Sequence, residues 1–426
     1  MAHLESHASG RAVRQLRSLL RGLPGRNSLE FGEPIPCRPD SAGIRPESRN
    51  FGKTRLRPFR LQRQRPRDVY QVNMSETRSL RKQSIPSLLE KLEQNGQRII
   101  APQPAGPSGT PWFTDLDRER HIDLEQMTAV SPKSGLFPVV EEILRFRKDG
   151  KQVVIEGDKV KVQPTVLFGL RPCDARGLRI LESIFQEGEP DVFLRERRAA
   201  TTVVAFSCTA ADPDCFCTSV GGGPGDTEGS DLLLSAIDDD HFLVEIVTPK
   251  GKELVELGAG LFEPAKESEQ TKVLAAVPVR FPIADVLTKL PALFNLESFW
   301  QEQSLACLGC STCAFVCPIC SCFDLEDEAD LKCGSRLRCW DSCGQRLFTL
   351  HASGHNPRSV QSQRWRQRVM HKFSYLPERG RKARGSAPAE GSTSLLGCVG
   401  CGRCSRSCPV DMNLIERLTA IAESDL

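Results

Sequence analysis

Two groups of cysteines share one spacing that suits an inorganic cofactor. Each reads C-x2-C-x2-C-x3-C and is followed at once by a proline, Pro318 or Pro409. This is the ligand run of two-cluster ferredoxins, in which cysteine thiolates hold [4Fe-4S] centres. The proline fixes φ at the point where the next helix can start. The predicted metal ligands are Cys307, Cys310, Cys313, Cys317, Cys398, Cys401, Cys404 and Cys408.

The pattern also predicts how these ligands are shared between two [4Fe-4S] clusters. In two-cluster ferredoxins the fourth cysteine of a run binds the cluster held by the other run. Such crossing brings the clusters close together, as an electron relay requires, and the clusters themselves carry the redox chemistry. Cluster one would take Cys307, Cys310, Cys313 and Cys408, and cluster two would take Cys398, Cys401, Cys404 and Cys317.

Structural zinc is the main rival interpretation of the runs. Zinc usually takes two thiolates from each short cysteine knuckle, often with histidine. Here three close cysteines and a fourth recur, and neither run contains a histidine. A non-redox scaffold with two structural metal sites remains the alternative from another functional class. A disulfide framework is expected instead in small secreted chains.

The other cysteines carry weaker signals. Those near the first run are expected to be small buried apolar side chains, because free cysteine is often buried. They are Cys320, Cys322, Cys333, Cys339 and Cys343. A second group lies near predicted strand ends, where α/β domains bind ligands, and its role, including a third metal site, stays open. It comprises Cys173, Cys208, Cys215 and Cys217.

The segment between the runs is basic. Guanidinium groups near a cluster would stabilise its reduced, more negative state and raise its potential. A solvated helix face that pairs with acidic groups is the alternative. The basic residues are Arg336, Arg338, Arg346, Arg358, Arg364, Arg366, Arg368 and Lys372. The seven histidines form no catalytic pair, and residues 221–225 are not a GxGxxG fingerprint, so we predict no catalytic residue and no NAD or flavin site.

Length and composition indicate an ordinary multidomain protein. The chain has 426 residues, 39% of them hydrophobic and 26% charged, which allows two or three domains. No apolar run reaches the length of a membrane span, and the N-terminus lacks the apolar region of a secretion signal. We therefore expect a cytoplasmic protein without a membrane span, in a compartment where thiols stay reduced.

The net charge of +3 conceals an uneven distribution. Residues 1–73 carry 15 Lys and Arg against 6 Asp and Glu, whereas the rest of the chain carries 42 against 48. This basic, aperiodic segment is predicted to be a disordered extension. Met74 begins a plausible protein of its own. A nucleic-acid-binding arm is the alternative, but no nucleic-acid module accompanies the charge, so no nucleic-acid partner is expected.

The surrounding elements must position the cysteines. Ser84 and Pro86 predict a helix start, and Asn95-Gly96 predicts its end. A further helix is expected over 139–146. Apolar runs at 165–169, 201–206, 232–234 and 242–247 predict strands, and Leu178, Leu181 and Phe185 predict a helix between the first two. Strands that alternate with helices predict a layered α/β domain.

The fold class expected from these patterns is α+β, an N-terminal layered α/β domain followed by a helical dicluster ferredoxin-type domain. Some 80 residues separate the two runs, which suits helices between them, and apolar residues from Leu414 to Ile421 predict a final helix. The predicted boundaries are 1–73 for the extension, 74–296 for the α/β domain and 297–426 for the ferredoxin-like domain.

Several longer motifs resemble one protein family over about residues 80–426. They are VLFGLRPCDARGLRIL (166–181), DCFCTSVGGGPG (214–225), CPICSCFDLEDE (317–328), RCWDSCGQRLF (338–348), HNPRSVQSQRWRQRVMHKFSY (355–375) and GCVGCGRCSRSCPVDMN (397–413). The chain resembles the beta, iron–sulfur subunit of NAD(P)-linked sulfhydrogenases and the A subunit of anaerobic sulfite reductase.

The resemblance implies an electron-transfer subunit of a soluble oxidoreductase complex rather than its catalytic subunit. Its expected partners are a flavin-containing, NAD(P)H-linked subunit and a catalytic redox subunit. An iron–sulfur subunit of a heterodisulfide-reductase-type complex is the alternative within the same redox class. Residues 1–73 fall outside the resemblance.

Overall fold

The fold is described from a computed structural model. It covers residues 76–105, 109–156, 160, 162–265, 272–384 and 396–425, with backbone only at 381–384. The predicted basic extension lies outside these residues. Within this part of the chain, no helix is both long and apolar enough to cross a membrane.

The described residues contain strands in two sheets and eleven α-helices. The strands are β1 (Glu76–Arg81), β2 (Arg98–Pro104), β3 (Pro111–Asp115), β4 (Val140–Asp149), β5 (Gln152–Glu156), β6 (Thr165–Leu170), β7 (Thr201–Phe206), β8 (Leu232–Ala236), β9 (His241–Ile246), β10 (Phe262–Pro264), β11 (Phe323–Ala329) and β12 (Cys333–Trp340). The helices are α1 (Ile85–Gln94), α2 (Pro172–Phe185), α3 (Val192–Ala199), α4 (Pro249–Leu257), α5 (Ile283–Lys289), α6 (Glu297–Gln303), α7 (Thr312–Phe315), α8 (Gln361–Met370), α9 (Leu376–Arg384), α10 (Arg403–Arg406) and α11 (Leu414–Glu423).

The first sheet has eight strands in the order β10-β1-β9-β8-β7-β6-β2-β3. Its centre is parallel, since β2, β6, β7 and β8 pair in that sense, and antiparallel strands flank it. Every residue of β6 is buried, as expected for a central parallel strand with both faces covered. The predicted α+β fold class, with a layered α/β part, is confirmed.

Alternation along β6 and β7 distributes their side chains to two cores. Val166 and Phe168 join Val204 beneath α1 and α4. Leu167 and Val203 point to the opposite face, where α2 covers them. Because successive side chains of a strand face opposite sides, a helical layer lies on each face of the sheet. The predicted helix over 85–94 is confirmed.

The second sheet has four strands in the order β11-β12-β4-β5. The prediction of a helix over 139–146 is wrong, because this segment forms most of the first part of β4. That strand pairs with β5 on one side and with β12, nearly two hundred residues later, on the other. Pairing with such a distant strand overrides local periodicity. The hairpin of β11 and β12 lies between the two cysteine runs and was not predicted.

The C-terminal helices enclose a core of their own. Trp300 of α6, Trp365 and Val369 of α8, and Leu418 of α11 pack there, together with Val286 of α5. The predicted terminal helix is therefore confirmed as α11. Its asparagine cap, Asn413, accepts a hydrogen bond from the backbone N–H of Ile415, which satisfies one free donor of the first turn.

Candidate metal centre

The two cysteine runs follow the same backbone path. Gly309 and Gly400 precede the second cysteine with φ of 68° and 66°, and Ser311 and Gly402 follow it with φ of 64° and 71°. These four residues are left-handed, a conformation that costs most side chains free energy but not glycine. A short helix then begins in each run, α7 in the first and α10 in the second. The paired left-handed residues turn each loop back around its thiols.

The first cavity in this region lies between α7, α8 and α11. Its thiols are Cys307, Cys310 and Cys313 of the first run, with Cys404 and Cys408 of the second. Apolar side chains form much of its remaining wall. They include Leu308, Trp365, Val410, Met412 and Leu414.

The second cavity has the complementary composition. Its thiols are Cys398, Cys401 and Cys404 of the second run, with Cys317 of the first. Cys404 and Arg368 line both cavities, so the two are adjacent. Apart from Cys404, which lines both, each cavity thus combines three thiols of one run with the fourth thiol of the other.

The donors around the cavities suit iron–sulfur clusters. The metal-binding atoms are thiol sulfurs, the ligands that hold such clusters. Backbone N–H groups of Gly400 and Met412 donate to the sulfurs of Cys398 and Cys408 at 3.5 and 3.2 Å. At the first cavity, the buried Trp365 Nε1 has no hydrogen-bond partner among the described residues. An indole N–H beside the cavity would be satisfied by an anionic sulfur acceptor within it.

Burial shapes the acidity of the thiols in the second cavity. Desolvation raises the pKa of Cys398 to about 12 and the pKa of Cys401 to about 11. A buried thiolate is disfavoured unless a cation stabilises it. Binding of a metal supplies that stabilisation and releases the proton, which couples cluster assembly to folding.

Two buried cations on one helical segment contact the thiol region. Lys372 Nζ lies 3.4 Å from the Cys317 sulfur and donates to the Gly397 carbonyl at 2.8 Å. Arg368 donates to the Cys313 carbonyl at 3.0 Å and lies 3.8 Å from the Cys320 sulfur. Burial disfavours the charge of Lys372, but the Cys317 thiolate outweighs it and raises the pKa of Lys372.

A third buried cation, Lys133, enters from the α/β part of the chain. Its side chain is 2% exposed, its Nζ donates to the Cys320 carbonyl at 2.8 Å, and it lies 3.8 Å from the centre of the Trp340 ring. Burial lowers the pKa of Lys133, while the Cys320 and Cys317 thiolates oppose that effect. Buried cations are normally compensated by anions. The Cys317 thiol can supply that charge, because the hydrogen bond from Cys320 lowers its pKa well below that of a free thiol.

The other predicted basic residues divide by position. Arg364 is buried and hydrogen-bonds Gln361, whose amide lies 3.2 Å from the Cys307 sulfur. Arg366 instead stacks on Phe294, and Arg338 binds Glu141 in the second sheet. The expectation of guanidinium groups beside the cysteines therefore holds for Arg364 and Arg368. Arg338 fits neither that expectation nor the alternative of a solvated helix face, because it is buried on β12.

The α/β part of the chain meets the second run through a buried ion pair. Arg403 donates to both carboxylate oxygens of Asp174 at 2.6 and 2.9 Å, and both side chains are 0% exposed. Arg403 also donates to the carbonyl and hydroxyl of Thr128. Asp174 sits in the first turn of α2, so the RPCD motif anchors the loop between Cys401 and Cys404.

Close backbone packing completes this contact. A Cβ on Gly177 would lie 2.8 Å from Pro318, the proline after the first run. The Phe216 N–H donates to the Gly400 carbonyl at 2.9 Å, and a Cβ on Gly400 would meet the Phe216 carbonyl at 2.5 Å. Glycine is needed at both points because no side chain fits.

The second cysteine group lies where the sequence predicted, after the ends of β6 and β7. Cys173 packs beside Cys401, and burial raises the pKa of Cys208 to about 11. No three His, Cys, Asp or Glu side chains in the described ranges are arranged to bind a single metal ion. The role of this group stays open. Near the first run, Cys339 is buried as predicted, whereas Cys320, Cys322, Cys333 and Cys343 are only partly buried. The Cys322 and Cys343 thiols interact with each other.

Comparison with known proteins identifies the region that surrounds the cavities. Residues 306–412 match the 4Fe-4S dicluster domain family. This segment carries a 4Fe-4S dicluster domain. The chain is also 26% identical over 355 residues to the sulfhydrogenase 2 subunit beta of Pyrococcus furiosus, covering 81% of this chain and 98% of that protein. The resemblance to sulfhydrogenase beta subunits inferred from the motifs is confirmed.

The sequence did not predict three residues of this region: Lys133 and Asp174, which lie outside the dicluster domain, and Arg403, which lies within it. Lys133 lies in a short 3-10 helix, Pro132–Gly135, with no local pattern that marks it as functional. Asp174 and Arg403 stand inside quoted motifs, but their pairing joins positions 229 residues apart. The sequence signal that was available is the position of Arg403 between the predicted ligands Cys401 and Cys404, because a charge buried in such a loop needs a partner of opposite charge.

Proposed function

We propose that the chain relays electrons between a flavoprotein partner, linked to NAD(P)H, and a catalytic redox subunit of a hydrogenase-type complex. Two [4Fe-4S] clusters would carry the electrons. The observation that carries the proposal is the composition of the two adjacent cavities: each has three thiols of one run and the fourth thiol of the other, and Cys404 lines both. The similarity to a sulfhydrogenase beta subunit supports the hydrogenase-type assembly.

The proposed ligand sets follow the cavities. One cluster is held by Cys307, Cys310, Cys313 and Cys408, and the other by Cys398, Cys401, Cys404 and Cys317. When bound, the clusters supply one-electron redox chemistry. The chain's own residues fix the thiols, shield them with apolar walls and place Arg368 and Lys372 beside them, which favours the more negative reduced state. The proposed organisation is an α/β part over 74–296 and a ferredoxin-like part over 297–426.

The flavin belongs to the partner in this proposal. NAD(P)H delivers two electrons at once, and a flavin converts them into single-electron steps. The sequence has no dinucleotide fingerprint. Cysteine-rich redox proteins of this kind keep their ligands reduced in the cytoplasm, which is the proposed location.

Iron content and ligand exchange test the proposal together. Anaerobic reconstitution should give about eight iron and eight sulfide per chain, as two complete cysteine runs require. Replacing Cys317 with Ser should disturb the cluster of the second run, and replacing Cys310 with Ser should disturb the other. EPR spectra of the reduced variants distinguish them. Loss of the same signal in both variants would refute the crossing, and zinc in place of iron would refute the relay.

A further inference from the structure

A pair of thiols outside the two cysteine runs lies at the open end of the β11–β12 hairpin. Cys322 directly precedes β11, and Cys343 comes shortly after β12. The strand pairing extends to this point, since the Asp341 N–H donates to the Cys322 carbonyl at 3.0 Å. A hydrogen bond joins the two thiols. The hairpin therefore brings together two cysteines that are distant in the sequence.

Neither the proposed clusters nor a single metal ion accounts for this pair. The eight thiols of the two runs suffice as ligands for two [4Fe-4S] clusters. Zinc usually takes four ligands, and the described ranges hold no group of three His, Cys, Asp or Glu side chains suited to one ion. Cys320 also hydrogen-bonds a thiol, but its partner Cys317 is a proposed cluster ligand. Two adjacent thiols without a ligand role can instead be joined by oxidation to a disulfide.

The surroundings favour Cys343 as the reactive thiol of the pair. The hydrogen bond from Cys322 lowers the pKa of Cys343, and the buried cations Arg368 and Lys372 act in the same direction, against desolvation. The same hydrogen bond, together with burial, raises the pKa of Cys322. Thiolate beside cations is the nucleophilic form of cysteine. Both residues are only partly buried, so a small molecule can approach them from solvent.

The pair is also next to the first cysteine run. A Cβ on Gly344, directly after Cys343, would lie 2.9 Å from the Ser311 hydroxyl. Ser311 stands between Cys310 and Cys313 in the first run. A covalent bond to Cys343 would therefore restrain the segment that packs against this loop.

We propose that Cys322 and Cys343 form a thiol–disulfide exchange site for a small-molecule disulfide, a function separate from the electron relay. The Cys343 thiolate attacks one sulfur of the disulfide RSSR, forms a mixed disulfide and releases the first RSH. The Cys322 thiol then loses its proton, attacks the Cys343 sulfur and releases the second RSH. Overall the pair gives up two electrons and two protons, which convert RSSR into two RSH. Reversible disulfides in cytoplasmic proteins are usually catalytic or redox-sensing.

The test uses the reconstituted full chain in anaerobic mixtures of reduced and oxidised glutathione. Samples are quenched in acid, alkylated and digested, and mass spectrometry with fragmentation measures the peptides linked through Cys322 and Cys343. The ratio of linked to unlinked pair should rise tenfold for each tenfold rise in oxidised glutathione at constant reduced glutathione, and dithiothreitol should reverse it. Cys322→Ser should lose the link and accumulate glutathione on Cys343. Visible absorbance of the same samples shows whether the clusters stay bound.

Cys339→Ser is the matched control, because it removes a buried thiol from β12 of the same hairpin and should leave the link unchanged. A link that is absent at every glutathione ratio, or that appears only after the cluster absorbance is lost, overturns the exchange site and leaves the relay standing. A chain that binds no iron but still forms the link overturns the relay alone. An additional link between Cys317 and Cys320 would overturn the proposed ligand crossing and leave this site standing.

Discussion

The buried pair of Asp174 and Arg403 offers a direct test of how the α/β part supports the dicluster domain. Both side chains are fully buried, and two charge-assisted hydrogen bonds of 2.6 and 2.9 Å join them. Burial disfavours the guanidinium charge, but the Asp174 carboxylate outweighs it and raises the pKa of Arg403. Asp174→Asn keeps the shape and removes the compensating charge.

The expected cost follows from the burial. Removing one partner of a buried ion pair destabilises a protein by about 3–5 kcal/mol. Cluster two would offset part of this cost, since its negative charge lies beside Arg403, so we use the lower bound. Because 1.36 kcal/mol corresponds to a factor of ten, a loss of about 3 kcal/mol raises the equilibrium population of the locally opened state by about 150-fold.

The assay follows cluster loss in urea under anaerobic conditions, by visible absorbance and by the EPR signal of cluster two. The signal of cluster two should disappear first in Asp174→Asn. Asp327→Asn is the control, because its partner Arg336 and Asp327 itself are 44% and 46% exposed, and solvent screens such pairs. A rate for Asp174→Asn close to that of the control would show that the contact does not hold the cluster loop.

Three further predictions concern backbone packing, pH and the partner. Gly400→Ala should destabilise the chain far more than Gly96→Ala. Both glycines have positive φ, a backbone strain that costs an alanine about 1–2 kcal/mol at either position, but only the Cβ at 400 meets backbone, 2.5 Å from Phe216. Equal thermal unfolding midpoints for the two variants would contradict the clash. Burial raises the pKa of Asp341 to about 6, so the folded state disfavours the charged carboxylate. Asp341→Asn should therefore stabilise the chain above pH 6 and lose that advantage as the pH falls towards 4. A difference in urea midpoint between variant and unaltered chain that stays constant over this range would contradict the prediction. The pure, flavin-free chain should not oxidise NAD(P)H, since its sequence has no recognisable site for a hydride acceptor. Steady loss of NAD(P)H absorbance with this chain alone would show that no flavin-containing partner is needed.

Local sequence determined much of the central sheet and its neighbouring helices. The runs at 165–169 and 201–206 became β6 and β7 because a parallel strand covered on both faces must be apolar throughout. The helix α1 followed from its proline start and its Asn95-Gly96 end. These features depend on residues within one turn or one strand of each other, so a single sequence displays them.

The second sheet could not be predicted in the same way. Residues 139–146 have apolar positions compatible with a helix, but Val140–Asp149 is held as a strand by β12. The partner strand comes from between the cysteine runs, and Glu141 of β4 binds Arg338 of β12. No periodicity within either segment contains that information, because it depends on a contact between distant parts of the chain.

For the candidate site too, features set by the spacing of residues along the chain could be predicted, whereas features set by tertiary contacts could not. Cysteine spacing suffices to predict which thiols form each run, since a loop with left-handed turns brings three of them together. Two of the charges near them come from the α/β part of the chain, Lys133 before β4 and Asp174 on α2. A dicluster domain stabilised only by its own residues would need neither Lys133 nor Asp174. Here the α/β part supplies a buried cation beside Cys320 and the anion that holds Arg403, so the electrostatic surroundings of the proposed clusters depend on both parts of the chain.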